Sequence, residues 1–154
     1  CGVCGKATID RLLVDTKPIE NPIVPNPDVL FGLPDSVRTH QAVFAQTGGL
    51  HAAALFDVDG AIEVVREDIG RHNAVDKVIG WKLHREEMPI DDRILLVSGR
   101  AGFEIIQKAL VARISVVAAV GAPSSMAVQL AEESGMLIVG FLRDGRYNQY
   151  GRTR

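Results

Sequence analysis

Cysteine is nearly absent from this chain: two in 154 residues, both within the first four positions, as Cys1-Gly2-Val3-Cys4. A secreted domain held by disulfides carries more, so this pair points to redox, metal or sulfur chemistry. There is no basic excess either. Seventeen lysines and arginines against 19 acidic residues leave a net charge of −2, which excludes a general nucleic-acid or membrane-surface binder. Long apolar runs are missing. The stretch from Ser115 to Gly121 is among the longest, far below the ~20 residues that span a bilayer. No charged, apolar and small-residue series opens the chain, so a cytoplasmic protein is expected. The GxGxxG and GxxxxGK[ST] patterns are absent too, which argues against an ordinary dinucleotide or P-loop site. What is present is the length of one domain and a globular composition, 47% hydrophobic and 23% charged, which excludes a disordered chain. The chain starts at Cys1 rather than methionine. The expectation is the C-terminal part of a longer chain, because a reactive pair on a free end would be poorly positioned.

Residues 5–13 predict a short helix with Ile9, Leu12 and Leu13 as its apolar face. Between Thr16 and Pro34 five prolines predict an extended loop, so residues 1–34 form a CxxC segment plus Pro-rich loop and residues 35–154 an α/β core. A helix capped by Asp35 or Ser36 carries Val37, Ala42, Phe44 and Ala45 and ends at Gly48-Gly49. Leu50–Phe56, the turn Asp57-Val58-Asp59-Gly60 and Ala61–Val65 read as a hairpin. Thereafter strand and helix alternate. Ile62–Arg66 leads to a helix over His72–His84 with Val75, Val78, Ile79 and Leu83 on one face; Arg93–Val97 leads to Ala101–Ala112; Ile114–Val120 leads to Met126–Glu133; Met136–Leu142 runs into a polar tail, Arg143-Asp144-Gly145-Arg146. This predicts a three-layer α/β/α fold with a mixed, mostly parallel sheet and an antiparallel hairpin at one edge.

Open sheets of that kind bind ligands at the carboxyl edge, where the strand-to-helix turns gather. Those turns contain Gly70-Arg71-His72-Asn73, Ser98-Gly99-Arg100 and Gly121-Ala122-Pro123-Ser124-Ser125, and the last strand delivers Arg143 and Arg146. Glycine allows close backbone approach, helix N-termini offer N–H groups, and arginine supplies charged forks, which together suit phosphate. Taken singly, each turn also has the composition that any compact turn and N-cap requires. His51, in an apolar run, reads as an interior histidine; His72, at a Gly-rich helix start, reads as a ligand contact; His40 and His84 read as surface residues.

The cysteine pair has three chemical readings. A zinc site needs two more ligands from His40, His51, His72 and His84, none of which has the usual partner spacing. A dithiol redox pair would follow a strand and open a helix. A sulfur carrier holds a persulfide on one thiol, and the small neighbours Gly2 and Gly5 leave access for a large partner. An inert leftover is the bland reading, and spacing alone does not separate carrier from redox pair.

The chain resembles the formate dehydrogenase accessory sulfurtransferase family (FdhD family). The resemblance rests on Cys1-Gly2-Val3-Cys4-Gly5-Lys6, on Thr47-Gly48-Gly49-Leu50-His51-Ala52-Ala53, and on the long run Arg66 to Lys77. It extends through Ser98-Gly99-Arg100-Ala101-Gly102-Phe103-Glu104, Gly121-Ala122-Pro123-Ser124-Ser125 and Gly140-Phe141-Leu142-Arg143. Family members carry a further segment before the CxxC. The resemblance implies a cytoplasmic sulfurtransferase that takes sulfur from a cysteine desulfurase and delivers it to the molybdenum (or tungsten) bis(molybdopterin guanine dinucleotide) cofactor of formate dehydrogenase. It puts the persulfide on Cys1 with Cys4 as companion. It also puts cofactor binding at Phe141, Leu142, Arg143, Asp144, Gly145 and Arg146, beside the turn residues Arg71, His72, Ser98, Gly99, Arg100, Ser124 and Ser125. GDP-like nucleotides would suit the same site, and a homodimer is left open. The implied fold is cytidine deaminase-like. Zinc deamination, however, needs H-x-E and P-C-x-x-C, and the corresponding turns read His72-Asn73-Ala74 and Ser98-Gly99-Arg100-Ala101, so no catalytic zinc is expected. Two other hypotheses remain: a chaperone that holds the molybdenum cofactor without covalent chemistry, and a regulatory guanine-nucleotide binder.

Overall fold

The computed structural model describes residues 17–151. Cys1, Cys4 and the helix expected over residues 5–13 lie outside them. The elements are α1 (Pro27–Arg38), α2 (Ala42–Thr47), β1 (His51–Phe56), β2 (Ile62–Asp68), α3 (Arg71–His84), β3 (Ile94–Val97), α4 (Phe103–Val111), β4 (Val116–Ala119), α5 (Ser125–Ser134), β5 (Leu137–Arg143) and β6 (Arg146–Gly151). They build one six-stranded sheet in the order β2-β1-β3-β4-β5-β6. One apolar cluster packs α3, α4 and α5 on one face through Val75, Val78, Ile105, Ile106 and Leu130. A second packs α1 on the other face through Leu30, Leu33 and Val37. The three layers are as expected. The central strands β3 and β4 are buried along their whole length, as strands covered on both faces must be, which explains their unbroken aliphatic sequences.

The sheet is not mostly parallel. Among the described strands, β3–β4 and β4–β5 run parallel, whereas β1–β2, β1–β3 and β5–β6 are antiparallel. The cause is a second hairpin. Asp144 and Gly145 take positive φ and turn the chain back into β6, so the polar tail Arg143–Arg146 is a hairpin turn between two strands. The strand β6 reads Arg-Tyr-Asn-Gln-Tyr-Gly with no buried residue; an edge strand this polar carries no apolar alternation.

Nor is the Pro-rich stretch a loop throughout. The helix α1 starts at Pro27, whose missing N–H is not needed at that position, and Asn26 caps it by accepting from the Asp28 N–H at 3.0 Å. Pro34 sits inside this helix, at a cost of about 3 kcal/mol. Complete burial of Leu30, Leu33 and Val37 outweighs it at roughly 1.5–3 kcal/mol each. The single helix expected from Asp35 or Ser36 to Gly48 is therefore two, with α2 ended by Gly48 at φ 65°. On α3 the buried face is Ala74, Val75, Val78 and Lys82, and Leu83 is exposed rather than buried.

Candidate functional site

At the carboxyl ends of β3, β4 and β5, a cavity of about 630 Å³ opens on the α1 side of the sheet. Its floor is Leu96, Ser98 and His51, one wall is Leu142-Arg143-Asp144-Gly145, and the cover is Phe31, Asp35, Arg38 and Phe44 from α1 and α2. The size is that of a small-ligand cleft, ~300–1,000 Å³. Arg38 and Arg143 form no ion pair among the described residues, so both guanidinium groups are available to an anion.

Backbone contacts lock this edge together. The Ala52 N–H donates to Ser98 Oγ at 2.9 Å and the Ser98 N–H donates to the Ala52 carbonyl at 2.9 Å. Gly121 N–H donates to the Gly99 carbonyl at 3.0 Å, Ser124 N–H to Ala101 at 3.0 Å, and Phe141 N–H to Gly121 at 3.1 Å. A Cβ on Gly121 would stand 3.0 Å from the Gly99 oxygen, so glycine is what lets the second and third turns touch. A Cβ on Gly99 would press on the His51 ring at 3.3 Å. The helix α2 is held over the cavity by a side chain from β2: the Glu67 carboxylate accepts from Val43 N–H at 3.0 Å and Phe44 N–H at 2.8 Å, capping a helix whose own N-cap residue, Gln41, makes no side-chain cap.

The turn before α3 is organised by Asp68. Its carboxylate takes Lys77 Nζ at 2.6 Å, the Gly70 N–H at 2.9 Å and Asn73 Nδ2 at 3.1 Å. Lys77 first, then those two donors, hold its carboxyl down at about 2. Asp68 thus stays ionised until the pH falls through about 2 and keeps Arg71 and His72 in place above that. Among the described residues, buried Arg71 Nε has no hydrogen-bond partner, and neither has His72 Nε2, although the latter is 3.8 Å from Glu104 Oε2.

The predicted site residues fall into groups. Ser98, Leu142, Arg143, Asp144 and Gly145 line the cavity, and Gly99, with the Arg71 side chain beside it, backs onto His51 in the cavity floor. Arg100 packs on Gly121. Phe141, with φ 56°, and Arg146 are exposed beside it. Ser124 Oγ accepts from the Ala127 N–H as the cap of α5, and Ser125 opens that helix in solvent. His72 lines a different groove, between α3 and α4. His51 is half-buried at the cavity rather than interior. Sequence reasoning assigned no role here to Phe31, Asp35 and Arg38. Their i, i+4, i+7 spacing is the available signal, and it becomes readable once α1 is known to begin at Pro27.

Burial, then the Arg71 charge, pushes the His72 imidazole below its ordinary 6.5, and Glu104 opposes this. His72 is neutral at pH 7 in consequence, and because the fold disfavours its proton, stability falls as pH drops below about 6.5. In an NMR titration the His72 midpoint is expected under 6.5, and Glu104→Gln should move it lower still. A midpoint at or above 6.5 would contradict this account of the groove.

The fold and this edge define a class: a three-layer α/β/α domain whose ligand cleft lies beyond the carboxyl ends of an open sheet. The chain belongs to the FdhD/NarQ family, which it matches over residues 1–154. It is 56% identical over 155 residues, 99% of its length, to a sulfur carrier protein FdhD of Mycobacterium tuberculosis. Its identity to the protein of that name from Thermoplasma acidophilum is 49% over 150 residues, 97% of its length. The chain spans only 56% and 53% of those two relatives. Among solved structures it is similar to a protein from Desulfotalea psychrophila assigned as a formate dehydrogenase accessory protein. That likeness has a TM-score of 0.80 and 26% identity, over 92% of this chain and 59% of that one.

Proposed function

We propose that this protein is a sulfur carrier for formate dehydrogenase. It takes sulfur from a cysteine desulfurase and passes it to the molybdenum bis(molybdopterin guanine dinucleotide) cofactor, its cargo. The observation that carries this reading is the family match over residues 1–154, a span that includes Cys1-Gly2-Val3-Cys4. The Cys1 thiolate attacks the terminal sulfur of the donor's persulfide; a new S–S bond forms on Cys1 and the donor thiolate leaves. Release follows when the Cys4 thiolate attacks Cys1 Sγ, forming a disulfide as the carried sulfur departs with the electron pair, reduced to sulfide. A thiolate is the competent nucleophile, and thiols that must stay reduced call for the cytoplasm.

The cavity chemistry supports the cargo. Among the described residues Arg38 and Arg143 form no ion pair and buried Arg71 Nε has no acceptor, while Phe31 and Phe44 add aromatic surface at the cleft. Such a cleft has room for one nucleotide-sized end of the cofactor, with guanidinium groups on its phosphates and GDP as a tractable probe. Intact-mass spectrometry after incubation with a desulfurase and cysteine tests the reading. A gain of one sulfur, reversible by thiol, is expected. No adduct under competent donor conditions would favour the non-covalent chaperone instead.

A further inference from the structure

Most of the cavity at the carboxyl edge is lined by well-packed structure. Leu96 and Leu142 belong to the buried core, and α1 lays Leu30, Leu33 and Val37 on the sheet. The stretch from Gln41 to Gly49 is built differently. Gln41, Phe44, Gly48 and Gly49 line the cavity, yet α2 buries none of its residues, and Val43 and Phe44 are 47% and 37% exposed. With six residues, α2 is far below the ~12–15 at which a helix begins to hold itself in water. Among the described residues, two hydrogen bonds join it to the sheet, both accepted by the Glu67 carboxylate, from Val43 N–H and Phe44 N–H. Its further bonds are local, such as Ala45 N–H to the Gln41 carbonyl and Thr47 Oγ1 to the Val43 carbonyl. At its end stands Gly48-Gly49, where Gly48 has φ 65° and an added Cβ would meet nothing within 4 Å.

We infer that α2 is a lid on this cavity, latched shut by Glu67 and hinged at Gly48-Gly49, and that a nucleotide-bearing anion enters only when the latch opens. The proposal rests on the reading of the cavity as the cargo site and adds how the cargo is admitted. The post of the latch is fixed: β2 pairs Glu67 with Ala52 of β1, and Lys77 Nζ donates to the Glu67 carbonyl at 3.0 Å. What moves is the helix. Its bonds to Glu67 lie at the surface, so water takes their place when they break and opening is a low-cost step. Gln41, buried just before α2, is the pivot opposite the glycine hinge. Phe44 couples latch to cargo, because its N–H is held by Glu67 and the same residue lines the cavity. Glu67 does not itself line the cavity; it acts through α2, as a positioning residue.

Hydrogen exchange and stopped-flow binding of GDP, both on the full-length protein, test this. Glu67→Ala is expected to speed exchange of the amides of residues 43–48 at least about tenfold, with β1 and β3 amides unchanged. GDP should associate and dissociate about tenfold faster while Kd stays within about threefold, because the latch is lost equally from the empty and the filled closed forms; losing a simple contact would raise dissociation alone. Glu67→Gln keeps one acceptor oxygen and should fall between. In the unsubstituted protein GDP should slow exchange at residues 43–48, and GDP bound without that slowing would overturn the proposal. So would exchange there unmoved by Glu67→Ala, faster dissociation at an unchanged association rate, or equal loosening of β1 and β3. If GDP binds neither protein while exchange still depends on Glu67, the latched helix stands and the cargo reading of the cavity falls.

Discussion

Replacing Cys1 with alanine is expected to reduce formate dehydrogenase activity in cells to that of cells lacking the protein, and to abolish the sulfur adduct by mass. The domain should remain folded, because among the described residues the buried members of the two apolar clusters run from Ile19 to Leu142. Cys4→Ala should leave loading on Cys1 intact and impair release, because the attacking thiolate is gone and the persulfide persists. Arg143→Ala should show the reverse pattern: loading unchanged, delivery lost, and GDP bound more weakly, since a cavity guanidinium that forms no ion pair among the described residues has been removed. If a variant lacking both cysteines sustained activity while Arg143→Ala and Arg146→Ala failed, the protein would be a chaperone for the cofactor rather than a carrier of sulfur.

The largest stability effect is expected at Glu63. Lys82, whose side chain is only 8% exposed, places Nζ 2.7 Å from Glu63 Oε2 and 2.8 Å from Glu87 Oε2, and Arg93 Nε binds the other Glu63 oxygen. Glu63→Ala removes the carboxylate that Lys82 and Arg93 share, leaving Lys82 with Glu87 alone and Arg93 with Asp92 alone, and should cost about 2 kcal/mol by chemical denaturation. Lys82→Met should cost far less, because Glu63 keeps Arg93 and Glu87 keeps Arg85. Desolvation opposes the Lys82 charge, but hydrogen bonds to Glu63 and Glu87 win and raise it above the ordinary lysine value of 10.5. Its contribution is therefore complete below about pH 10.5 and is lost as pH climbs through the raised value. Lys82→Met should flatten that alkaline limb, and equal losses for Glu63→Ala and Lys82→Met would show that the cluster is not cooperative.

Much of the fold is legible in local pattern. Ile-Leu-Leu-Val and Val-Val-Ala-Ala announce strands buried on both faces, and Asp57-Val58-Asp59-Gly60 announces the first hairpin, with the Asp57 carboxylate accepting from Asp59 and Ala61 N–H. The second hairpin is not legible. The strand β6 is polar and at an edge, so nothing in its composition distinguishes it from a tail, and missing it is what made the sheet look mostly parallel. The helix α1 was hidden by its prolines, one harmless at the helix start and one overridden by burial. With α1 went half the cavity, since Phe31, Asp35 and Arg38 acquire a common direction only on a helix.

The glycine, serine and arginine content of the carboxyl-edge turns and the Cys-Gly-Val-Cys spacing could be read in the linear chain, because those signals are local. Which turns share a cavity could not. Ser98 and Arg143 meet across 45 residues while His72 and Ser124 are turned elsewhere, a division imposed by which face of the sheet each helix covers. That choice follows from where α1 and α3 bury their apolar stripes, a balance of non-local packing that no short window of sequence contains.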